Sequence, residues 1–421
     1  MSTPSRRVIE VNRPIVGPGE PRLKTVRPRK IADYPHVPAP YLDVARKLSS
    51  PLLMGPPICD ELIAFVQHLC TEEEAAAVRH LGVFSGRSAA DVARAEHMAP
   101  EDARRILDQV AYQKRAIAGG GPPDNRRYRL LPIMPGVFEM VLIGCTPESL
   151  SAWHRRFIEL FETLYETGYS LDYQKHVTPM VRYLPVGKSI EAHPMALPSD
   201  QLEVVLDRFD TFGVGQCQCR LTTQTLGRGC GKPLGNCTVM GQWAQRGIED
   251  GWLKPVSKNN VLEIKREAES HGLATWMMNV ESTRGQSSCS CCGCCCHALR
   301  VVTEFNAPGM IAPPHFMPRL DRARCTFCGK CGKGCPMGAI VVDAPNGGEG
   351  DVDARGEKGT WRHLTERCVG CGLCAVACEW QHALVMEPVP DYKLPYRSWF
   401  ALIARAAPGM LRTSWQVWRE R

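Results

Sequence analysis

The sequence predicts an α+β chain made of several domains. Its 421 residues, 44% of them hydrophobic, suffice for roughly two to four compact units. Helical periodicity and two short strand candidates occupy residues 51–145, and 18 of the 21 cysteines lie between Cys217 and Cys378. We therefore divide the chain into an extended arm (1–50), a helical unit (51–145), a cysteine-rich α/β middle domain (146–310), a second cysteine-rich domain (311–390) and an amphipathic tail (391–421).

The arm is rich in proline and basic residues and shows little apolar periodicity, so we expect it to wrap around the protein or a partner. The net charge of +7 comes from the two ends of the chain. Residues 1–30 hold eight Lys or Arg against two acids, and residues 393–421 hold six against one. The rest of the chain is slightly acidic, which disfavours nucleic acid as its general partner.

In the helical unit, apolar residues recur at helical spacing and are followed by a hairpin pattern. Two capping-box pairs mark helix starts, namely Thr71 with Glu74 and Ser88 with Asp91. Pro100 opens a longer helix, and strand candidates around Ile117 and Tyr128 flank the turn GGGPPDN. Helix, short helix, helix and hairpin in this order predict a winged-helix-like unit.

A winged helix can bind DNA through its third helix and its wing. The basic candidates here are Arg104, Arg105, Arg126, Arg127 and Arg129. The same helices carry many acidic residues, which would repel phosphates. We therefore expect this unit to pack within the protein or to contact a partner protein.

The middle domain alternates helix and strand signals. We expect an amphipathic helix from Thr146-Pro147, a strand from Met180, a helix capped by Ser199, and two further helices around 241–247 and 261–271. The helix after Ser199 leads directly into the first group of cysteines. This alternation predicts an α/β fold for the cysteine-rich middle domain.

The strongest motif is a fourfold cysteine run that occurs twice, CxxCxxCxxxC, with proline after the first copy. Three thiolates of one run hold three irons of a 4Fe-4S cubane, and the fourth reaches the other cluster. We therefore expect one cluster on Cys325, Cys328, Cys331 and Cys378, and another on Cys368, Cys371, Cys374 and Cys335. Paired zinc sites, the alternative, prefer two well-separated CxxC pairs. The pattern predicts a C-terminal bacterial 2x(4Fe-4S) ferredoxin-like domain.

Two features depart from a minimal ferredoxin. Glu379 stands where a proline is expected, and the segment 336–367 contains a polar insertion, GGEGDVDARGEKG. The first would alter a local turn. We interpret the second as a docking loop.

A second group of cysteines begins with a CxCR motif. Cys217, Cys219, Cys230 and Cys237 lie within 21 residues and are separated by several glycines, so they can close around one metal centre. A third 4Fe-4S cluster is the preferred interpretation. Zinc fits the same four thiolates and stays open.

The third group places six cysteines within eight residues: Cys289, Cys291, Cys292, Cys294, Cys295 and Cys296. Adjacent side chains diverge, so all six cannot bind one cubane. Three or four could hold a metal cluster while the others point inward, and His297 is either a further ligand or a packing residue. A cluster with an open iron position would indicate catalysis, and one with four thiolates would indicate an electron relay.

Together these runs resemble a family of prokaryotic, mostly anaerobic proteins described as 4Fe-4S dicluster ferredoxin-type proteins. The resemblance rests on the order CxCR, a later cysteine pair, CCxCCC and the doubled run, over about residues 197–386. It extends more weakly to the winged-helix-like unit. It implies a redox function and no particular substrate. The two middle cysteine groups themselves lead us to expect one or two 4Fe-4S clusters in addition to the ferredoxin pair.

Other features narrow the function. The chain shows no Walker loop and no GxGxxG between a strand and a helix, so we expect no ATP, NAD or FAD site of the usual kinds. Cys59, Cys70 and Cys145 stand in apolar contexts and are expected to be buried thiols. The tail, interrupted by Pro408-Gly409, is expected to form two short amphipathic pieces that contact a partner, the protein itself or, peripherally, a membrane surface.

We predict an iron-sulfur electron-transfer protein that serves as a relay subunit of a larger cytoplasmic oxidoreductase and exchanges electrons with partner proteins. The cytoplasm follows from many thiols without a signal-peptide core or an 18-residue apolar run. Two alternatives remain: an iron-sulfur reductase with its catalytic centre at the CCxCCC run, and a redox-sensing winged-helix regulator. Whether the chain is itself an enzyme stays open.

Overall fold

The computed structural model describes residues 20–83, 85–122, 124–174, 178–191, 193–307, 309–343 and 359–420. Most of the N-terminal half of the predicted arm and nearly all of the predicted docking loop lie outside these ranges. The chain forms two units with a mixed α/β content. Within the described residues, one unit comprises Leu23–Tyr173, Gln224–Arg228 and residues 410–420, and the other comprises residues 20–22, Gln174–Thr223 and Gly229–Gly409.

The first unit is mainly helical. Its helices are α1 Ala39–Leu48, α2 Asp60–Leu69, α3 Glu72–Val78, α4 Ala89–Glu96, α5 Pro100–Asp108, α6 Phe138–Leu142 and α7 Ala152–Glu166. Strands β1 Ile117–Gly120 and β2 Arg127–Leu130 form an antiparallel hairpin. Buried aromatic rings hold α2, α6 and α7 together: Phe65 lies 5.4 Å from Phe157, and Phe138 stacks on Phe161 at 3.9 Å between ring centroids.

Local signals predicted most helix starts of this unit. Both capping boxes form, because the Thr71 and Ser88 hydroxyls accept from the backbone N–H groups of Glu74 and Asp91. The thiols of Cys59, Cys70 and Cys145 are buried, as expected.

Two predictions for this unit were wrong. Residues 39–48 of the predicted extended arm form α1, which buries Val44, Ala45 and Leu48. Helix α7 begins after Ser151, its N-cap, and not at Thr146. Thr146 and Ser149 instead exchange hydrogen bonds with each other in a turn that precedes the helix.

The larger unit is built on a six-stranded antiparallel sheet with strand order β3-β7-β8-β5-β4-β6. The strands are β3 Val181–Leu184, β4 Phe212–Gly215, β5 Cys237–Gly241, β6 Lys254–Val256, β7 Ala274–Met278 and β8 Gly285–Cys291. The accompanying helices are α8 Gly187–Ile190, α9 Leu202–Leu206, α10 Gln218–Thr225, α11 Gln242–Glu249, α12 Lys258–Ser270 and α13 His297–Thr303. Ser199 does not cap α9; it lies buried in a 3-10 turn, and Gln201 precedes the helix without a side-chain cap.

The C-terminal cysteine runs lie between two short antiparallel sheets of the same unit. Strand β9 Phe316–Leu320 pairs with β12 Leu384–Pro388, and β10 Ile340–Asp343 pairs with β11 Thr360–His363. Two short helices, α14 Lys330–Lys333 and α15 Leu373–Ala377, begin inside the runs. The two similar halves predicted from the repeat are therefore present.

The last element, α16 Trp399–Glu420, is one helix that continues through Pro408. The expectation of two short pieces was therefore wrong. Among the described residues, no helix combines the length and apolar character needed to cross a membrane.

Candidate metal centres

Two pockets in the larger unit are each lined by four cysteines. Cys325, Cys328, Cys331 and Cys378 line the first pocket. Cys335, Cys368, Cys371 and Cys374 line the second. The last cysteine of each run thus lies in the pocket of the other run, which is the crossed arrangement typical of two-cluster ferredoxins.

Glycines and backbone amides shape both pockets. Gly329 and Gly372 precede α14 and α15 with φ of 73° and 72°, in the left-handed region that favours glycine. The Phe327 N–H donates to Cys325 Sγ, and the Ala339 N–H donates to Cys335 Sγ, both at 3.3 Å. Such N–H groups stabilise negative charge on a thiolate.

The two pockets differ in burial. Cys325, Cys328 and Cys331 are half-buried, whereas Cys371 and Cys374 of the second pocket are buried. Burial raises the pKa of the Cys368 thiol to about 12 and that of Cys371 still further. Thiols in such surroundings keep their protons unless a cation takes their place, so this donor set fits a metal centre.

The ten cysteines of the middle region form two further sets. The first, which we call the four-thiol set, is Cys230, Cys292, Cys294 and Cys295, whose Sγ atoms all lie within 4.8 Å of one another. Cys230 and Cys292 are 3.9 Å apart, and Cys294 and Cys295 are 3.7 Å apart, between Sγ atoms.

The other six form what we call the six-thiol ring: Cys217, Cys219, Cys237, Cys289, Cys291 and Cys296. The Sγ atoms of Cys237 and Cys289 are 4.0 Å apart. Thiol contacts then link Cys289 to Cys291, Cys291 to Cys296, Cys296 to Cys219, and Cys219 to Cys217. Cys217 also interacts with the charge of Cys289, so the last thiol of this series lies near its start.

Strand register explains this division. Thr238 of β5 is opposite Ser288 of β8, so Cys237 and Cys289 come next to each other at the following position. Cys289 and Cys291 are two residues apart on β8 and therefore project from the same face. Cys292 projects the other way, into the four-thiol set, and Cys295 and Cys296 separate in the same manner.

A buried lysine lies against the ring. Lys265 of α12 is 1% exposed, and its Nζ donates to Ser288 O at 2.9 Å and to Ser290 Oγ at 3.2 Å. Burial lowers its pKa to about 8, against the opposing effect of the Cys289, Cys237 and Cys291 thiols. A buried cation is costly unless negative charge compensates it. The neighbouring thiolates supply that charge.

A buried arginine lies between the two sets. Arg220 is 2% exposed and donates to the carbonyl oxygens of Pro233 and Ser290, at 2.9 and 2.7 Å. Although burial lowers its pKa, the thiols of Cys217, Cys292 and Cys291 outweigh burial and raise it. The guanidinium thus interacts with both the ring and the four-thiol set.

Tyr183 of β3 completes the surroundings of the ring. Its buried hydroxyl lies beside Cys291, and burial, followed by the thiols of Cys291 and Cys296, raises the pKa of this phenol well above its usual value. A hydroxyl that keeps its proton can donate to a thiolate. Lys265 and Arg220 thus place two buried positive charges near the thiols, and Tyr183 adds a buried hydroxyl beside Cys291.

The sequence did not predict this mixing of the two cysteine groups. It grouped Cys217, Cys219, Cys230 and Cys237 together, whereas the structure places Cys230 with three cysteines of the CCxCCC run and the other three with the remainder of that run. The two buried cations beside these thiols, Lys265 and Arg220, were also not predicted from the sequence. A signal was present for each: Arg220 follows the CxC directly, and Lys265, four residues after Val261, falls on the apolar face of α12.

Residues 324–387 match the family model described as a 4Fe-4S dicluster domain. The match contains both fourfold runs and every cysteine that lines the two pockets. No curated protein and no solved structure matches the chain. The C-terminal cysteine runs of this protein form a 4Fe-4S dicluster domain, in a chain whose cysteine clusters fit iron-sulfur binding.

Proposed function

We propose that the chain is an iron-sulfur electron-transfer protein and a relay subunit of a larger cytoplasmic oxidoreductase. The dicluster pockets and the six-thiol ring would hold iron-sulfur clusters, which supply one-electron transfer when bound. A reducing cytoplasm would keep the thiols available for metal. The observation that carries the proposal is the packing between the second dicluster pocket and the ring.

That packing is a single apolar core. Cys335, Cys368 and Cys371 of the second pocket and Cys289, Cys291 and Cys296 of the ring belong to one cluster of side chains, together with Val181, Leu299, Val302 and Ile311. A continuous packed core excludes water between the two sites. Electron transfer weakens steeply with distance and with gaps, so this core favours transfer between them.

Backbone contact reinforces the connection. A Cβ added to Gly293, in the middle of the CCxCCC run, would lie 1.9 Å from the carbonyl oxygen of Pro336, the residue after Cys335. Only glycine allows the two segments to come so close. The turn that carries the CCxCCC cysteines therefore packs directly against Pro336, a residue that lines the second pocket.

The first pocket is the better placed of the two to exchange electrons with a redox partner. Its cysteines are half-buried; the exposed Lys330 lines the pocket, and the exposed Arg322 interacts with the charge of Cys325, so the rim is basic. An acidic redox partner would be attracted to this basic rim, and its association would slow as salt is added. This arrangement supports entry or exit of electrons at the first pocket.

Iron and sulfide counting with EPR on the anaerobic protein tests the relay. We expect about twelve or more irons per chain, since each cubane holds four. Cys291→Ser should remove the signal of the third centre and leave the dicluster signals, while Cys145→Ser, at a buried thiol of the helical unit, should change neither. About eight irons in both the wild type and Cys291→Ser would refute the relay. A third signal that responds to an added small molecule would instead favour the reductase alternative.

We infer that the helical unit is winged-helix-like and contacts protein rather than DNA. An antiparallel bridge between Arg87 and Tyr128 of β2 supports the winged-helix-like fold, because it adds a short third strand to the hairpin. Against DNA, Arg105 pairs with Glu73 at 3.0 Å and Arg126 with Asp108 at 2.8 Å. A mobility-shift assay at low salt should show no DNA binding. Salt-sensitive binding would favour the regulator alternative.

Helix α16 offers a second partner surface. Its exposed large apolar residues are Phe400, Ile403, Leu411, Trp415 and Trp418. Their spacing places them on one side of the helix, and we infer that this side packs against the redox partner. Flotation with anionic vesicles is the test: no flotation is expected, and flotation abolished by Trp418→Ser would indicate a membrane surface instead.

A further inference from the structure

We propose that the four-thiol set, Cys230, Cys292, Cys294 and Cys295, binds a single zinc ion with a structural role. A tetrahedral zinc with Zn–S bonds of about 2.3 Å places neighbouring sulfurs about 3.8 Å apart. The Sγ atoms of Cys230 and Cys292 are 3.9 Å apart, and those of Cys294 and Cys295 are 3.7 Å apart. All four lie within 4.8 Å of one another, as four ligands of one ion must.

The dicluster pockets have a different geometry. In a cubane, each thiolate binds a different iron at a different corner, so the four sulfurs stand farther apart than around one ion. Among the described residues, neither dicluster pocket brings three sulfurs as close together as the four-thiol set does. The dicluster pockets are thus spaced for cubanes, whereas the four-thiol set is spaced for a single ion.

The ligands come from two separate segments. Three lie in the turn between β8 and α13, and Cys230 lies in the stretch 229–236 that leads into β5. An ion held by both would crosslink the turn to this stretch. The same two segments carry ring members on either side, since Cys291 and Cys296 flank the turn and Cys237 follows the stretch. The zinc would therefore fix the positions of ring ligands without exchanging electrons itself.

The charge of the surroundings suits this ion. Four thiolates and one Zn²⁺ carry a net charge of −2. The buried guanidinium of Arg220 interacts with Cys292 and offsets part of that charge. Cys292 and Cys295 are 2% and 0% exposed, whereas Cys230 is half-buried and Cys294 is exposed. Four cysteine ligands would fill every position of a tetrahedral ion, which is typical of structural zinc.

Metal analysis of the anaerobically purified full-length protein tests the proposal. We expect one zinc per chain in addition to the iron, and zinc K-edge EXAFS should show four sulfur neighbours at about 2.3 Å. Cys230→Ser should lower the zinc content at least fivefold while the dicluster EPR signals persist. Cys230→His should retain zinc, with three sulfurs and one nitrogen, because Cys3His sites bind zinc well.

Cys70→Ser is the matched control, since this buried thiol belongs to the helical unit and should leave zinc unchanged. Wild-type protein without zinc, combined with a loss of iron in Cys230→Ser, would overturn the proposal and assign the set to an iron-sulfur cluster. The zinc and iron counts are separate, so failure here leaves the relay to be judged by its own iron count. If Cys230→Ser does not fold, the EXAFS of the wild type and the zinc content of Cys230→His still decide the matter.

Discussion

The dicluster domain and the middle region both gather cysteines, but they compensate thiolate charge in different ways. In the dicluster domain, glycine-rich turns direct backbone N–H groups at sulfur, as Phe327 and Ala339 do. In the middle region, Lys265 and Arg220 are buried beside the thiols. The cysteines of the dicluster domain are brought together by a local motif, whereas the grouping of the middle-region cysteines depends on strand register. The contrast indicates that the first site is built by sequence spacing and the second by the fold.

The crossed ligands of the dicluster domain give the largest expected effect. Cys378→Ser should remove the cluster of the first pocket, although Cys378 belongs to the second run, because the side chain lines the first pocket. Iron should fall by about four per chain. EPR should show that Cys378→Ser and Cys325→Ser abolish the same signal, and that Cys335→Ser and Cys368→Ser abolish the other. If Cys378→Ser instead matched Cys368→Ser, the crossed arrangement would be wrong.

Removal of a buried cation should affect the middle region and leave the dicluster domain unchanged. Lys265→Met removes a buried positive charge that interacts with the charges of Cys289, Cys237 and Cys291, together with its hydrogen bonds to Ser288 O and Ser290 Oγ. Leaving a buried polar group without its partner costs about 1–3 kcal/mol. We therefore expect loss of the iron-sulfur centre at the ring, with the two dicluster signals kept. Anaerobic iron counting and EPR on the same sample measure both.

A matched control exists on the same helix. Lys258, in the first turn of α12, pairs with Asp207 in a partly exposed ion pair. Lys258→Met should change stability by less than about 1 kcal/mol, since such pairs contribute little, and should leave all iron in place. Equal losses in Lys258→Met and Lys265→Met would show that α12, rather than the buried charge, is what matters.

The same contrast explains which features of the molecule could be predicted from the sequence and which could not. The dicluster ligand sets were predicted from spacing alone, because each run folds as one tight turn. In the middle region the expected divergence of adjacent cysteines holds for Cys291 and Cys292 and for Cys295 and Cys296, but not for Cys294 and Cys295, which share the four-thiol set. Which neighbours the cysteines meet is decided by the pairing of β5 with β8, some 50 residues apart in the chain. Local signals also could not reveal that Pro408 is accommodated within α16, or that residues 39–48 bury an apolar face.

The smallest effect concerns the contact between the two regions. In Gly293→Ala, the new methyl group would meet the Pro336 carbonyl oxygen at 1.9 Å, so one segment must move. Overpacking of this kind costs about 1–3 kcal/mol, and the shift would loosen the wall shared by the CCxCCC turn and the second pocket. Gly235→Ala is the control, because a Cβ there meets nothing within 4 Å. We expect Gly293→Ala to lower the temperature at which iron-sulfur absorbance is lost. It should also alter the EPR line shape of the second dicluster centre and leave the line shape of the first centre unchanged. Gly235→Ala should change neither property. If both variants behaved like the wild type, the two regions would not be in backbone contact, and the packed connection on which the relay depends would lose its main support.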